Sequence, residues 1–229
     1  MHIPDGFINA ATSLSAGAVA AGGLTVAADK SSKVMEEKLF PLAGLTAAFI
    51  FAAQMINFPI AAGTSGHLIG GALAAILVGP HAAALCLAVV LSVQALFADG
   101  GLTALGLNIL NMGFVGVYGG WAVFVLVRRL LPVSRAGIVA GSFAAGLVSV
   151  VLASIAFFVE YLLGGTTAVP LDAVFKAMVA VHILVGFGEG LITAATVGTV
   201  LSSRPDLVYG ARDIAQTHMG TDHAAASRS

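Results

Sequence analysis

Apolar residues run along this chain in seven long blocks, separated by short polar stretches. A helix needs roughly 20 apolar residues to cross the hydrocarbon core of a bilayer. The seven blocks meet or approach that length at residues 10–28, 39–56, 63–79, 82–98, 102–127, 136–158 and 173–201. The pattern therefore predicts seven transmembrane helices. Only Gly79-Pro80-His81 separates the third from the fourth, which reads as a tight helical hairpin. The chain divides into three regions: a leading segment 1–9, a membrane domain 10–201 and a polar tail 202–229, with Arg204-Pro205 ending the last helix.

The basic residues orient these spans. Lys30, Lys33 and Lys38 follow the first block, Arg128, Arg129 and Arg135 the fifth, and Arg204, Arg212 and Arg228 the seventh. Nine of the ten Lys and Arg thus fall on one side of a seven-span arrangement, and only Lys176 on the other. The expectation is an outside N-terminus and a cytoplasmic C-terminus. Six or eight spans would break the agreement.

Composition sharpens the class. Of 229 residues 59% are hydrophobic and 9% charged, and the mean hydropathy is +1.01. Soluble domains average about 25% charged residues, so this is an all-α integral membrane protein rather than a soluble fold. Aromatics at 7% beside 28 glycines favour closely packed helices over a barrel with aromatic girdles. A formal net charge of −1 and no basic face exclude a nucleic-acid binder, and the single cysteine, Cys86, excludes a disulfide framework. Small residues four apart (Gly66/Gly70, Gly116/Gly120, Gly137/Gly141, Gly186/Gly190 and Ala43/Ala47) mark close helix contacts, either inside one bundle or toward another membrane subunit.

Candidate chemistry lies at the N-terminus. The first nine residues carry no Lys or Arg, whereas a cleavable signal peptide wants a positive leading segment. Met1 is expected to stay, because the bulky His2 disfavours removal of the initiator. The Met1 amine, the His2 amide and the His2 Nδ1 can then chelate one ion, closing a five- and a six-membered ring held near one plane by the planar peptide. One further imidazole would complete a square of four nitrogens. That geometry suits Ni(II) or Cu(II), not tetrahedral Zn(II) or oxygen-seeking Mg(II) and Ca(II). His81 falls at the cytoplasmic hairpin, and His218 and His223 in the tail, where they read as ordinary tail residues. His67, one turn inside the outer end of the third block in Gly63-Thr-Ser-Gly-His67-Leu-Ile-Gly-Gly71, is the expected fourth ligand. His182 reads instead as a hydrogen-bonded core histidine near Glu189. Pro4-Asp5-Gly6 reads as a turn returning the N-terminus to the bundle, with Asp5 either balancing the site's charge or capping the first helix. Gln54, Asn57, Thr64, Ser65, Asp99, Asn108 and Asn111 add polar groups at the outer ends. Of these, Gln54, Asn57 and Asn108 are the expected acceptors for the second N–H of a metal-bound histidine.

Met1-His2-Ile3-Pro4-Asp5-Gly6, Gln54-Met-Ile-Asn57-Phe-Pro59, Gly63 through Gly71 and Asn108-Ile-Leu-Asn111-Met-Gly113 together resemble the CbiM/NikM family. These are the substrate-capture components of energy-coupling-factor transporters for cobalt and nickel. The resemblance covers the chain from Met1 to about Leu201. It implies a bundle like other such components with one added N-terminal helix, and a site made of Met1, His2 and His67 for Ni2+, with Co2+ as the other candidate. The Ile-Pro-Asp-Gly start looks more like the nickel branch. The family also implies two ATP-binding cassette ATPases, a transmembrane coupling subunit and a small accessory membrane subunit, here separate, in a prokaryotic plasma membrane. This chain carries no Gly-x-x-x-x-Gly-Lys-Ser/Thr loop of its own, so it is expected not to be an enzyme. Ala43/Ala47 is the expected coupling surface. The alternative is a self-sufficient permease or channel, which would want several ionisable residues across the bilayer; only His67, His182 and Glu189 lie well inside the blocks.

Overall fold

A computed structural model describes residues 1–60 and 65–212. Thr64, His218, His223 and Arg228 lie outside the described residues. The helices are α1 (Ala10–Val34), α2 (Phe40–Met55), α3 (Gly71–Val78), α4 (Pro80–Leu96), α5 (Leu105–Leu130), α6 (Arg135–Gly164) and α7 (Leu171–Ser203). A two-stranded antiparallel hairpin, β1 (Phe58–Pro59) and β2 (Ser65–Gly66), stands between α2 and α3, with Phe58 opposite Gly66. The protein is an apolar, mostly helical membrane protein. Four helices, α1, α5, α6 and α7, are long and apolar enough to cross a bilayer, while α2 and α4 have 16 and 17 residues.

Local chemistry sets the ends. Asn9 caps α1, its side chain accepting from the Thr12 N–H at 2.9 Å, and Ser134 caps α6 from the Gly137 N–H at 3.1 Å. Pro41 and Pro80 sit in the first turns of α2 and α4, where a missing N–H costs nothing. Asp5 does not cap α1; that role falls to Asn9.

The third block departs most from its expectation. Only Gly71–Val78 is helical, eight residues or about 12 Å, too short to span alone. All eight are buried, so α3 is a core plug rather than a lipid-facing helix. Gly70 ends the preceding loop at φ 76°, a left-handed turn that a side chain would resist, and a Cβ there would also strike Ile50. α5 and α7 each contain a wide π-helical turn, at Ile109–Gly116 and Lys176–Ala180.

Two apolar clusters fill the bundle. One is built on α3, with Ile50, Leu87, Phe124 and Leu201. The other gathers Met1, Ile3, Phe7 and Ile8 with Leu107, Met112 and Phe157. The leading segment is therefore part of the core. Phe7 packs on Phe157 and Tyr161, and the segment is tied to the α6–α7 connection, with Asn9 N–H donating to Gly164 O at 2.7 Å and Thr166 N–H to Phe7 O at 3.1 Å. Gly186 and Gly190 bring α7 against the backbone of α6, near the carbonyls of Leu147 and Phe143. Ala43 and Ala47 pack against the first cluster, and the exposed side of α2 is carried by residues such as Leu45 and Phe49.

Candidate metal site at the N-terminus

Met1 is 1% exposed and His2 6%. The Met1 amine donates to the Ser65 carbonyl and to Ser65 Oγ at 3.1 Å. Ile3 is held like a strand residue by a side chain: its N–H donates to Asn108 Oδ1 at 2.8 Å and its carbonyl accepts from Asn108 Nδ2 at 3.1 Å and from the Gly101 N–H at 2.9 Å. The approach at Gly101 is close enough that a Cβ would overlap the Asp5 nitrogen and the Pro4 carbonyl carbon. Asp5 fastens the turn from the outside, accepting from Thr103 N at 2.7 Å and Thr103 Oγ1 at 2.5 Å, which holds its carboxyl below the usual range.

The rings of His2 and His67 stack, with centroids 4.4 Å apart and planes 27° from parallel. His2 Nε2 lies 3.1 Å from Gln94 Oε1, so it carries the proton and leaves Nδ1 as the lone-pair nitrogen. His67 Nδ1 lies 2.8 Å from the Leu68 carbonyl, which places its lone pair on Nε2. Both His2 Nδ1 and His67 Nε2 are buried and have no hydrogen-bond partner among the described residues. Burial lowers the Met1 amine from 8.0 to about 4, against an opposing pull from Asp99. Burial, then the charge of the neighbouring amine, lowers His2 from 6.5 to about 3. The two donors are therefore neutral near pH 7, the form a metal requires. Among the described residues no three His, Cys, Asp or Glu side chains gather into a metal-binding group. The nitrogen donors assembled here are the chain terminus and two rings.

The loop carrying His67 is held from two helices. Glu189 on α7 accepts from the N–H groups of Ile69 at 2.6 Å and Gly70 at 2.9 Å. Gln54 on α2 donates to the Ile69 carbonyl at 2.7 Å. Gln54 and Asn108 thus hold backbone, and Asn57 donates to Asp99 Oδ1 at 3.3 Å. None of Asp5, Gln54, Asn57 and Asn108 accepts from a histidine ring; the ring partners are Gln94 and the Leu68 carbonyl. Gln94, fully buried in the last turn of α4, is the residue sequence reasoning missed, although a lone glutamine in an apolar block was its signal. His182 is fully buried, with Nδ1 3.3 Å from Ala177 O rather than paired with Glu189. Glu160 was missed as well, because α6 runs to Gly164 and so takes in a residue beyond the expected end at 158; it accepts from Asn111 Nδ2 at 2.6 Å.

Met1, His2 and His67 buried together on an apolar helical scaffold make this a membrane protein with a candidate metal site at its N-terminal segment. Residues 2–207 match the family model for CbiM, the cobalt uptake substrate-specific transmembrane region. The chain belongs to the CbiM family. It is 35% identical to the fused nickel transport protein NikMN of Rhodobacter capsulatus over 91% of this chain and 64% of that one. It is 36% identical to the cobalt transport protein CbiM of Sorangium cellulosum over 73% of this chain and 76% of that one. The crystal structure of a truncated transition metal transporter superposes with a TM-score of 0.82 at 34% identity, covering 89% of this chain and 99% of that chain.

Proposed function

We propose that this chain is the substrate-specific membrane subunit of an energy-coupling-factor importer for nickel, with cobalt as the other candidate substrate. The ion is captured by the Met1 amine, the His2 amide and Nδ1, and the His67 Nε2, in a square of four nitrogens. The observation that carries this reading is the pair of buried lone-pair nitrogens, His2 Nδ1 and His67 Nε2, beside the Met1 amine. Left unmatched, each buried acceptor would cost about 1–3 kcal/mol; a shared ion would satisfy both. Membership in a family described by cobalt uptake supports the same reading. The chain lies in the prokaryotic plasma membrane with the N-terminus outside, a reading supported by the positive-inside pattern of Lys and Arg, and the short α3 with the His67 loop before it takes the place of a full third span. Two ATPases and a coupling subunit supply the energy, with a small accessory membrane subunit alongside.

The test is nickel binding by the intact chain, by a chain with one residue inserted after Met1, by an N-acetylated chain and by His67→Ala. The intact chain should show the absorption of square-planar diamagnetic Ni(II), and the three altered chains should lose it while staying folded. Normal binding by the acetylated chain would overturn the chelate. Uptake by cells expressing this chain alone, set against cells that also express the ATPases and coupling subunit, tests the partners; full uptake by the chain alone would favour a permease.

A further inference from the structure

A hydrated cation must lose its waters to enter so buried a site. A vestibule of about 390 Å³ opens over His2, lined by Pro4, Asn57, Pro59, Ser65, Asp99 and Gly100 among others. That is room for several waters around an entering ion. Asp99 is the only acidic or basic side chain apart from His2 among the described lining residues. Its Oδ1 accepts from Asn57 and stands 3.6 Å from His2 Nδ1, while its Oδ2 is buried with no partner among the described residues. With the His2 proton on Nε2, two acceptors face each other across that 3.6 Å gap. Such a pair repels until a cation or its water shell lies between them.

We infer that Asp99 and this vestibule form an encounter site for the hydrated divalent cation, which the carboxylate holds through the metal's own waters before the nitrogens displace them. The inference rests on the four-nitrogen reading only for the step after the encounter. Asp99 is then a capture residue and not one of the final ligands. It governs how fast the metal arrives and leaves the closed site unchanged.

Nickel association with the full chain is followed by stopped flow in uncharged detergent, with an indicator dye reporting free Ni2+, so that the rate does not depend on the square-planar band. In the unaltered chain the association rate should fall as ionic strength rises. Asp99→Asn should slow association about tenfold or more at low salt and flatten the salt dependence, with dissociation and the band unchanged. Asp99→Glu should keep most of the rate. An Asp99→Asn rate within twofold of the unaltered chain, or an unaltered chain with no salt dependence, overturns the inference. So does faster dissociation with unchanged association, which would make Asp99 a brace for His2. A missing band in the unaltered chain would count against the nitrogen square alone, and the rate comparison would still decide the role of Asp99.

Discussion

Asn108→Ala should free the chain terminus. Asn108 is 2% exposed and makes both hydrogen bonds that pair Ile3 with α5, at 2.8 and 3.1 Å. Alanine removes both. The Ile3 carbonyl keeps Gly101, but the Ile3 N–H, on a fully buried residue, loses its acceptor. One neutral hydrogen bond is worth about 1 kcal/mol and an orphaned buried donor costs about 1–3 kcal/mol, so docking of residues 1–5 should weaken by about 2–4 kcal/mol. The assay is acylation of the Met1 amine, read by mass spectrometry on the N-terminal peptide with exposed Lys33 as the internal standard. The amine is buried when docked, so its labelling rate scales with the fraction of open chains. At about 1.4 kcal/mol per factor of ten, labelling should rise about 30- to 1,000-fold while Lys33 is unaffected. A rise of less than threefold would refute the argument that Asn108 holds the terminus in place.

Three other outcomes are expected from the same contacts. Gly101→Ala should also open the terminus, since overpacking costs about 1–3 kcal/mol and the new methyl would press on the Pro4–Asp5 backbone; Met1 labelling checks it, with helix content by circular dichroism unchanged. Glu189→Gln leaves one oxygen for two N–H donors and sets an NH2 against the other, so the His67 loop should loosen and nickel dissociation should quicken about tenfold, with Met1 labelling unmoved; unchanged dissociation would count against the clamp. The docked Met1 amine and His2 stay neutral down to about pH 4 and 3, whereas the free groups hold protons below 8.0 and 6.5. Docking therefore weakens as pH falls from 8 toward 4, and nickel binding to the docked chain at pH 7 should release about one proton, that of the His2 amide. Calorimetry in buffers of different ionisation enthalpy measures that number, and two or more would show that the amine or His2 is still protonated when the metal arrives.

Much of the scaffold was legible because hydrophobicity dominates it. The blocks at 10–28, 102–127, 136–158 and 173–201 became α1, α5, α6 and α7, whose helices run on past the apolar edge into polar turns, as α1 does through Asp29 and Lys33. The Met1-His2 chelate could be expected from the sequence because a chelate ring depends only on neighbouring atoms, and the structure does bring the His2 and His67 rings together. The supporting partners were not, because they depend on which loops meet. Asp5 found Thr103, 98 residues away, and His2 found Gln94, 92 away. No local pattern relates such pairs.

The absence of helix at residues 65–70, inside the expected third block, explains how the His67 loop can be held where it is. In a continuous helix the Ser65 and Ile69 carbonyls would accept from amides four residues on, and the Ile69 and Gly70 amides would donate backwards. None would be available to a ligand or to the N-terminus. Unwinding frees them, and inside a membrane protein every freed group needs a partner within the protein. Each partner can be named: the Met1 amine on Ser65 O, Gln54 on Ile69 O, and Glu189 on the Ile69 and Gly70 amides. Two of those partners are polar side chains placed in blocks read as apolar spans. A lone Gln or Glu in such a block has two roles here: Gln54 and Glu189 hold backbone that has left the helix, whereas Gln94 holds the His2 ring. Which loop Gln54 and Glu189 hold is decided by the fold, and the Met1 amine that docks on that loop is a group that a search for clustered side chains passes over.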